Sequence, residues 1–273
     1  MFFQLTDKNS TFAPDYCNIV KAHPMMFVNS ISTFGQYLSL MHKVFARPES
    51  IKMFFKQFMR EIYQLGINSI PIVLIISFFI GAVICIQMKL NIENAWMPRF
   101  VAGYATREIL ILEFSSSIMC LILSGKVGSN ITSEIGAMRV TQQIDALEIM
   151  GVNSANFLIL PKIAALVSMM PILVIFSIAA GTAGAFAIGK FTGIMTPQDL
   201  IVGLQYEFNQ WYIWCSVIKA IFFAFVITSV ASYYGYTVKG GSIEVGKAST
   251  DAVVSCSALI LFSDMILTQL LMQ

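Results

Sequence analysis

Among the ionisable side chains inside or at the edge of long apolar runs, five draw attention: Arg107, Glu108, Glu113, Lys219 and Asp264. They are the residues here whose types could do chemistry. Arg107 and Glu108 are neighbours, so on a helix they point about 100° apart, and the spacing predicts that they do not pair with each other. A guanidinium at the head of an apolar span offers paired N–H donors to a lipid phosphate. The alternative is a pair of interfacial charges facing headgroup water. An ammonium at Lys219 costs a few kcal/mol in hydrocarbon, unless it snorkels to the surface or meets an acid. Glu108 and Glu113 are the expected partners, since all three belong to the same half of the chain's spans. Asp264 sits in mid-run, where a buried, protonated or hydrogen-bonded carboxylate is favoured over a proton relay. Glu113 reads the same way.

Other chemistries find little support. Gly241-Ser-Ile-Glu-Val-Gly246-Lys247-Ala248 comes within one residue of a P-loop, but Ala248 lacks the hydroxyl that would hold magnesium. That stretch is expected to be a cytoplasmic loop, and the chain is not expected to hydrolyse ATP itself. His23 and His42 have no ligand-spaced partner, and the five cysteines are scattered without a Cys-x-x-Cys pair. No catalytic residue, metal site or resident cofactor is expected.

The elements that must position these charges follow from composition. Of 273 residues, 57% are apolar and 12% charged, against about 25% charged in an ordinary soluble domain. Mean hydropathy is +0.75. A chain so short of charge cannot cover its own surface in water, which excludes a soluble enzyme. The net charge is +2 with no basic run, so no nucleic-acid partner is expected. The fold class is therefore an all-α polytopic membrane protein. Its predicted spans are Ile62 to Met88, Ile109 to Ser133, Ile163 to Gly189, Ala220 to Val238 and Ala252 to Gln273. The second is interrupted by Glu113 and Lys126 and is kept because five spans segregate the basic residues. Lys89, Arg99, Arg107 and Lys190 fall on one side and most of the others on the opposite side, which the positive-inside rule makes cytoplasmic. The N-terminus is then cytoplasmic and the C-terminus outside. No cleaved signal peptide is expected.

Residues 1–61 read as a cytoplasmic tail and interfacial helices, and 62–273 as the membrane domain. Residues 1–24 lack periodicity and are expected to be a loose tail. Phe34 to Phe45 and Ile51 to Ile62 mix apolar and basic residues at near-helical spacing. Met53, Phe54, Phe58 and Ile62 oppose Lys52, Lys56 and Arg60, as in an amphipathic interfacial helix; a short soluble packing helix is the alternative. Trp211, Tyr212 and Trp214 form one aromatic belt, and Tyr233, Tyr234 and Tyr236 the other. Ala180-x-x-x-Gly184 and Gly181-x-x-x-Ala185 are small-residue pairs for close helix packing, within the subunit or at a dimer axis.

Between the second and third spans lies Glu134-Ile-Gly-Ala-Met-Arg-Val-Thr-Gln-Gln-Ile-Asp-Ala-Leu-Glu-Ile-Met-Gly151. Val140, Ile144 and Leu147 share a face, Thr141, Asp145 and Glu148 are polar, and Gly151 is placed as a left-handed cap. The spacing predicts a short amphipathic helix over 140–150. Such a helix could dock on a motor protein and pass its movement to the spans; an ordinary connecting helix has the same spacing. Asp145-Ala146-Leu147-x-x-x-Gly151 also resembles the Glu-Ala-Ala-x-x-x-Gly coupling motif of ABC importers.

The run from Ser124 to Val152 resembles the signature of MlaE/YrbE-type permeases, the membrane subunits of ABC transporters that work with MCE-domain proteins. Arg107-Glu108, Pro161, Pro171, Gly181 to Gly184, Lys219, Gly235-Tyr236, Gly240-Gly241, Val245 to Thr250 and Asp264-x-x-Leu267-Thr268 follow in the family's order. Two departures stand out. Ile109-Leu110-Ile111 replaces the family's Leu-Gly-Pro, and Thr141-Gln142-Gln143 replaces its Thr-Glu-Gln. The resemblance implies a five-span homodimeric permease of a diderm bacterium's inner membrane. Cytoplasmic ATPase subunits, which hold ATP and magnesium, would bind Glu134, Arg139, Thr141, Gln143, Ile144, Asp145, Ala146, Leu147, Glu148 and Gly151. An MCE ring would stand on the far side. The cargo would be phospholipid or a similar amphiphile, in a pocket lined by Arg107 and Glu108, with Glu113 and Lys219 assigned to the same site. The residues alone leave open a partner-free intramembrane lipid enzyme centred on Arg107, Glu108 and Asp264, a small-solute ABC importer, and a passive channel. The last would want polar stripes that most spans lack.

Overall fold

The computed structural model describes residues 32–46, 51–92, 98, 100–193 and 196–272. The tail expected over 1–24, with Cys17 and His23, lies outside them. The chain divides into two compact units, Met1–Lys43 and Val44–Gln273, so the boundary expected at 61/62 falls inside the second unit. The described part of the first is the body of α1, a helix over residues 32–44.

The second unit is built from α2 (Ile51–Asn91), α3 (Phe100–Val140), α4 (Gln143–Ile149), α5 (Ser154–Thr192), α6 (Pro197–Gln205), α7 (Gln210–Thr237) and α8 (Ser242–Leu271). α2, α3, α5, α7 and α8 are long and apolar enough to cross a membrane, as the five predicted spans require. With no water to serve the backbone, only helices that satisfy their own N–H and C=O groups can do so here. Antiparallel succession puts α6 at one end of the bundle and α4 at the other.

The helices extend beyond the predicted spans. The amphipathic stretch from Ile51 was expected to lie apart in the interface; instead it runs into the first span without a loop. It does so through a π turn, Ile62–Gly66, and a 3-10 turn, Ile67–Ser69. α5 begins at Ser154, nine residues before the predicted span. Asn153 caps it, its side chain accepting from Asn156 N at 3.3 Å, and both Pro161 and Pro171 lie within the helix. The Gly241–Ala248 stretch is no loop: Gly241 is the N-cap of α8, and Gly246 and Lys247 lie in its first turns.

The small residues of α5 pack within the subunit. A Cβ on Gly184 would overlap the Phe78 carbonyl, and one on Gly81 would overlap the Gly181 backbone. α2 and α5 therefore touch backbone to backbone there. Gly81 is the partner that sequence inspection missed.

Candidate functional site

At the α6 end, Lys219 of α7 is 2% exposed. Its Nζ lies 3.0 Å from Asp264 Oδ1 of α8 and donates to Thr268 Oγ1 at 2.6 Å and the Leu112 carbonyl at 3.4 Å. Ser117 Oγ of α3 donates to the same Asp264 oxygen at 2.6 Å, and the Glu113 carboxyl interacts with Asp264 as well. The expected partner of Lys219, Glu108 or Glu113, is thus corrected to Asp264, with Glu113 in the same cluster. Depth explains the choice. Lys219 lies 19 residues before Val238 and Asp264 lies 23 after Gly241, so the α7–α8 hairpin brings them level. That count was available from sequence once α7 and α8 were read as a hairpin.

Arg107 and Glu108 do pair, against expectation: Nη2 donates to Glu108 Oε1 at 2.6 Å. Divergent Cα–Cβ directions do not separate side chains this long, because the guanidinium folds back past its neighbour. Arg107 is buried, and Nη1 donates to the carbonyls of Leu204 and Tyr206, both at 2.8 Å. Its guanidinium carbon sits 4.9 Å from the Tyr104 ring centroid and 5.6 Å from that of Phe208. A cation among the last carbonyls of α6 is favoured by the helix dipole, so Arg107 clamps the α6–α7 turn onto α3. The absent Leu-Gly-Pro leaves no break here; α3 continues as a π segment, Leu110–Ile118.

Toward the α4 end is a second cluster that sequence inspection missed. Lys162 of α5 is 2% exposed and pairs with Glu61 Oε1 at 2.7 Å and Glu134 Oε2 at 2.6 Å. Lys162 and Glu134 had read as charges of the segment outside the spans. Instead one ammonium ties α2, α3 and α5 together, and Glu134 faces inward. Glu61 carried no motif that set it apart from the charges around it.

α4 hangs below this cluster. Val140 closes α3, and the chain turns through Thr141 and Gln142, the latter in the left-handed region at φ 58°. The helix expected over 140–150 therefore begins at Gln143. Gly151, at φ 81°, is left-handed as expected. Arg139 Nη1 bonds Asp145 Oδ1 at 2.7 Å, and Arg139 lies 5.8 Å from the Tyr236 ring centroid. Glu148 Oε1 accepts from Tyr236 OH at 2.8 Å and Ser154 Oγ at 3.0 Å. Ile144 is buried, whereas Thr141, Gln143 and Ala146 are exposed. Ile149 is 87% exposed and Met150 67%. Asp145 and Glu148 thus brace α4 against α3, α5 and α7, and its free edge is apolar.

Cys85, Cys120, Cys215 and Cys256 are free and buried. No group of metal-ligating side chains occurs among the described residues.

A polytopic α-helical bundle with a braced, exposed helix between its second and third spans has the architecture that suits a membrane transport subunit. A family model described as Permease MlaE matches residues 58–270, and the chain belongs to that family. It is 29% identical over 270 residues to a probable ABC transporter permease of Rickettsia prowazekii, covering 93% of this chain and 96% of the relative. To a probable ABC transporter permease of Pyropia yezoensis it is 31% identical over 252 residues, 89% and 92% of the two chains. To the intermembrane phospholipid transport system permease protein MlaE of Haemophilus influenzae it is 29% identical over 259 residues, 90% and 98%. It is an ABC permease, a transport subunit and not an enzyme.

Proposed function

We propose that this permease moves glycerophospholipid or a related amphiphile between the inner and outer membranes of a diderm cell, driven by a separate ATPase docked on α4. The observation that carries the reading is the exposed Ile149–Met150 edge of a helix braced through Arg139, Asp145, Glu148 and Tyr236 to three spans. Large apolar side chains exposed on a short helix at the end of the bundle are suited to a groove on another protein. The bracing makes α4 stiff enough to transmit displacement. The Haemophilus relative's name supports the cargo class. A second copy of the chain, a periplasmic MCE-domain protein, residence in the inner membrane and a cytoplasmic N-terminus complete the proposal. ATP and magnesium belong to the ATPase.

Ile149→Asp tests it. The variant is expected to reach the membrane at normal abundance with unchanged thermal unfolding in detergent, while recovery of the ATPase by affinity purification falls at least tenfold. Recovery at the wild-type level would remove α4 as the docking element.

A further inference from the structure

Arg107, Lys162 and Lys219 each lie against a carboxylate. Lys126 does not. Among the described residues no acid is within ion-pair distance of it, and its one hydrogen bond is from Nζ to the Asn68 carbonyl at 2.5 Å. An ammonium has three donors, so two remain. They face a cleft of about 580 Å³ between α2 and α3, edged by Gln64, Asn68 and Ser69 on one helix and Ser129, Asn130 and Ser133 on the other. Leu65 and Val127 line it as well; the cleft carries one cation and contains no acid. The backbone is irregular on both sides: a π turn and a 3-10 turn in α2, and a second π turn, Ser124–Gly128, in α3.

The depth of the cleft can be read from the tyrosine belt. Thr132 Oγ1 donates to the Ala231 carbonyl at 2.9 Å, which sets Thr132 level with the start of Tyr233–Tyr236. Lys126 is six residues further into α3, about 9 Å deeper at 1.5 Å per residue, a depth from which a lysine stem can snorkel toward the belt. Asn130 and Ser133 lie at belt level. Lipid phosphates and glycerol esters occupy this zone in the leaflet at the α4 end. Toward the α6 end the same faces turn apolar: Ile75 follows Asn68 at a seven-residue interval, and Ile122 and Ile118 precede Lys126 at four-residue intervals. Ile75 and Ile118 are exposed.

We infer that this cleft holds the phosphate-bearing head of a glycerophospholipid from the leaflet at the α4 end, with Lys126 on the phosphate, Gln64 donating to head or ester oxygens, and the acyl chains rising past Ile75 and Ile118. The inference rests on the phospholipid reading above and adds a site distinct from the Lys219–Asp264 cluster.

The test uses the full chain in membranes of cells grown with [32P]phosphate. A photoreactive p-benzoylphenylalanine replaces Asn130 in the cleft or, as a control for surrounding lipid, the exposed Phe79 of α2. Extractable 32P-lipid is expected on the chain from both positions. Lys126→Gln should lower capture at Asn130 at least fivefold, Lys126→Arg should retain it, and capture at Phe79 should not change. Equal capture at Asn130 with Lys126→Gln would overturn the proposal, as would a crosslink to a second copy of the chain, seen as a band of doubled mass. In phosphatidylethanolamine–phosphatidylglycerol nanodiscs, excess inorganic phosphate should leave capture intact; displacement would mark a site for a soluble anion and overturn the lipid assignment. Absence of capture at Asn130 while the assembled transporter moves lipid removes the cleft and leaves the transport reading standing. Capture at Asn130 by a protein that moves no lipid keeps the cleft and removes the transport reading.

Discussion

Lys219 and Asp264 form a buried pair whose two members come from different spans, with Ser117 and Thr268 filling the remaining hydrogen-bond positions. Removing one member of such a pair strands the other charge, which destabilises by about 3–5 kcal/mol in proteins where it has been measured. Lys219→Glu is therefore expected to lower the unfolding temperature in detergent sharply and to abolish transport. Lys219→Glu with Asp264→Lys should recover most of the stability, because the pair is re-formed with its sign reversed. A double variant as unstable as the single one would show that the surrounding dipoles, and not the pair, set the orientation. Lys162 differs in having two acids. Lys162→Met leaves Glu61 and Glu134 facing one another with no cation between them. It is expected to destabilise more than Glu134→Gln, as read from the same unfolding measurement. Arg107 spends its donors on its own chain, so its first role is to hold the α6–α7 turn.

Among the elements, α2 and α5 form the closest contact. Gly184→Ala places a methyl group on the Phe78 carbonyl, and backbone cannot yield as a side-chain tip can. Overpacking of this kind costs about 1–3 kcal/mol, and the two helices must part. Gly246→Ala, in the first turns of α8 with open space around it, is expected to be neutral or to stabilise by up to about 1 kcal/mol from helix propensity. Thermal unfolding of the two variants side by side checks both. The small-residue spacing in α5 was legible from sequence, but its partner was not. Gly81 stands alone among large apolar residues, and only the crossing of α2 over α5 shows what it is for. α4 was equally half legible. Its left-handed Gly151 cap and its buried Ile144 follow from residue type and periodicity. The turn that starts it at Gln143 depends on Gln142 taking a left-handed conformation that glutamine does not announce.

For the whole molecule, five spans put Gly193 at the α6 end and Gly240 at the α4 end, and the distribution of lysine and arginine orients the bundle. Cysteines placed at these two positions, in a background lacking the native ones, should react with impermeant maleimide from opposite faces. Gly240→Cys should be labelled only after the cytoplasmic face is opened, and Gly193→Cys in intact spheroplasts. The reverse pattern would invert the bundle and put α4 out of reach of a cytoplasmic ATPase.

The sequence by itself determined the class and the count. Apolar runs of this length with so few charges have one solution in a bilayer, because every backbone polar group must be satisfied within its own helix. The Ser124–Val152 run was enough to indicate the family. What only the tertiary structure decided is which charge meets which. Partners of a buried ion come from other helices, and their match depends on rotation about the helix axis and on depth, neither of which is local to any segment. Lys219 therefore found Asp264 and not the expected acids of α3 as its ion-pair partner, Arg107 folded back on Glu108, and Lys162 and Glu134 turned inward from what read as a solvent-facing connection. Lys126 alone of these cations lines a cleft that contains no acid.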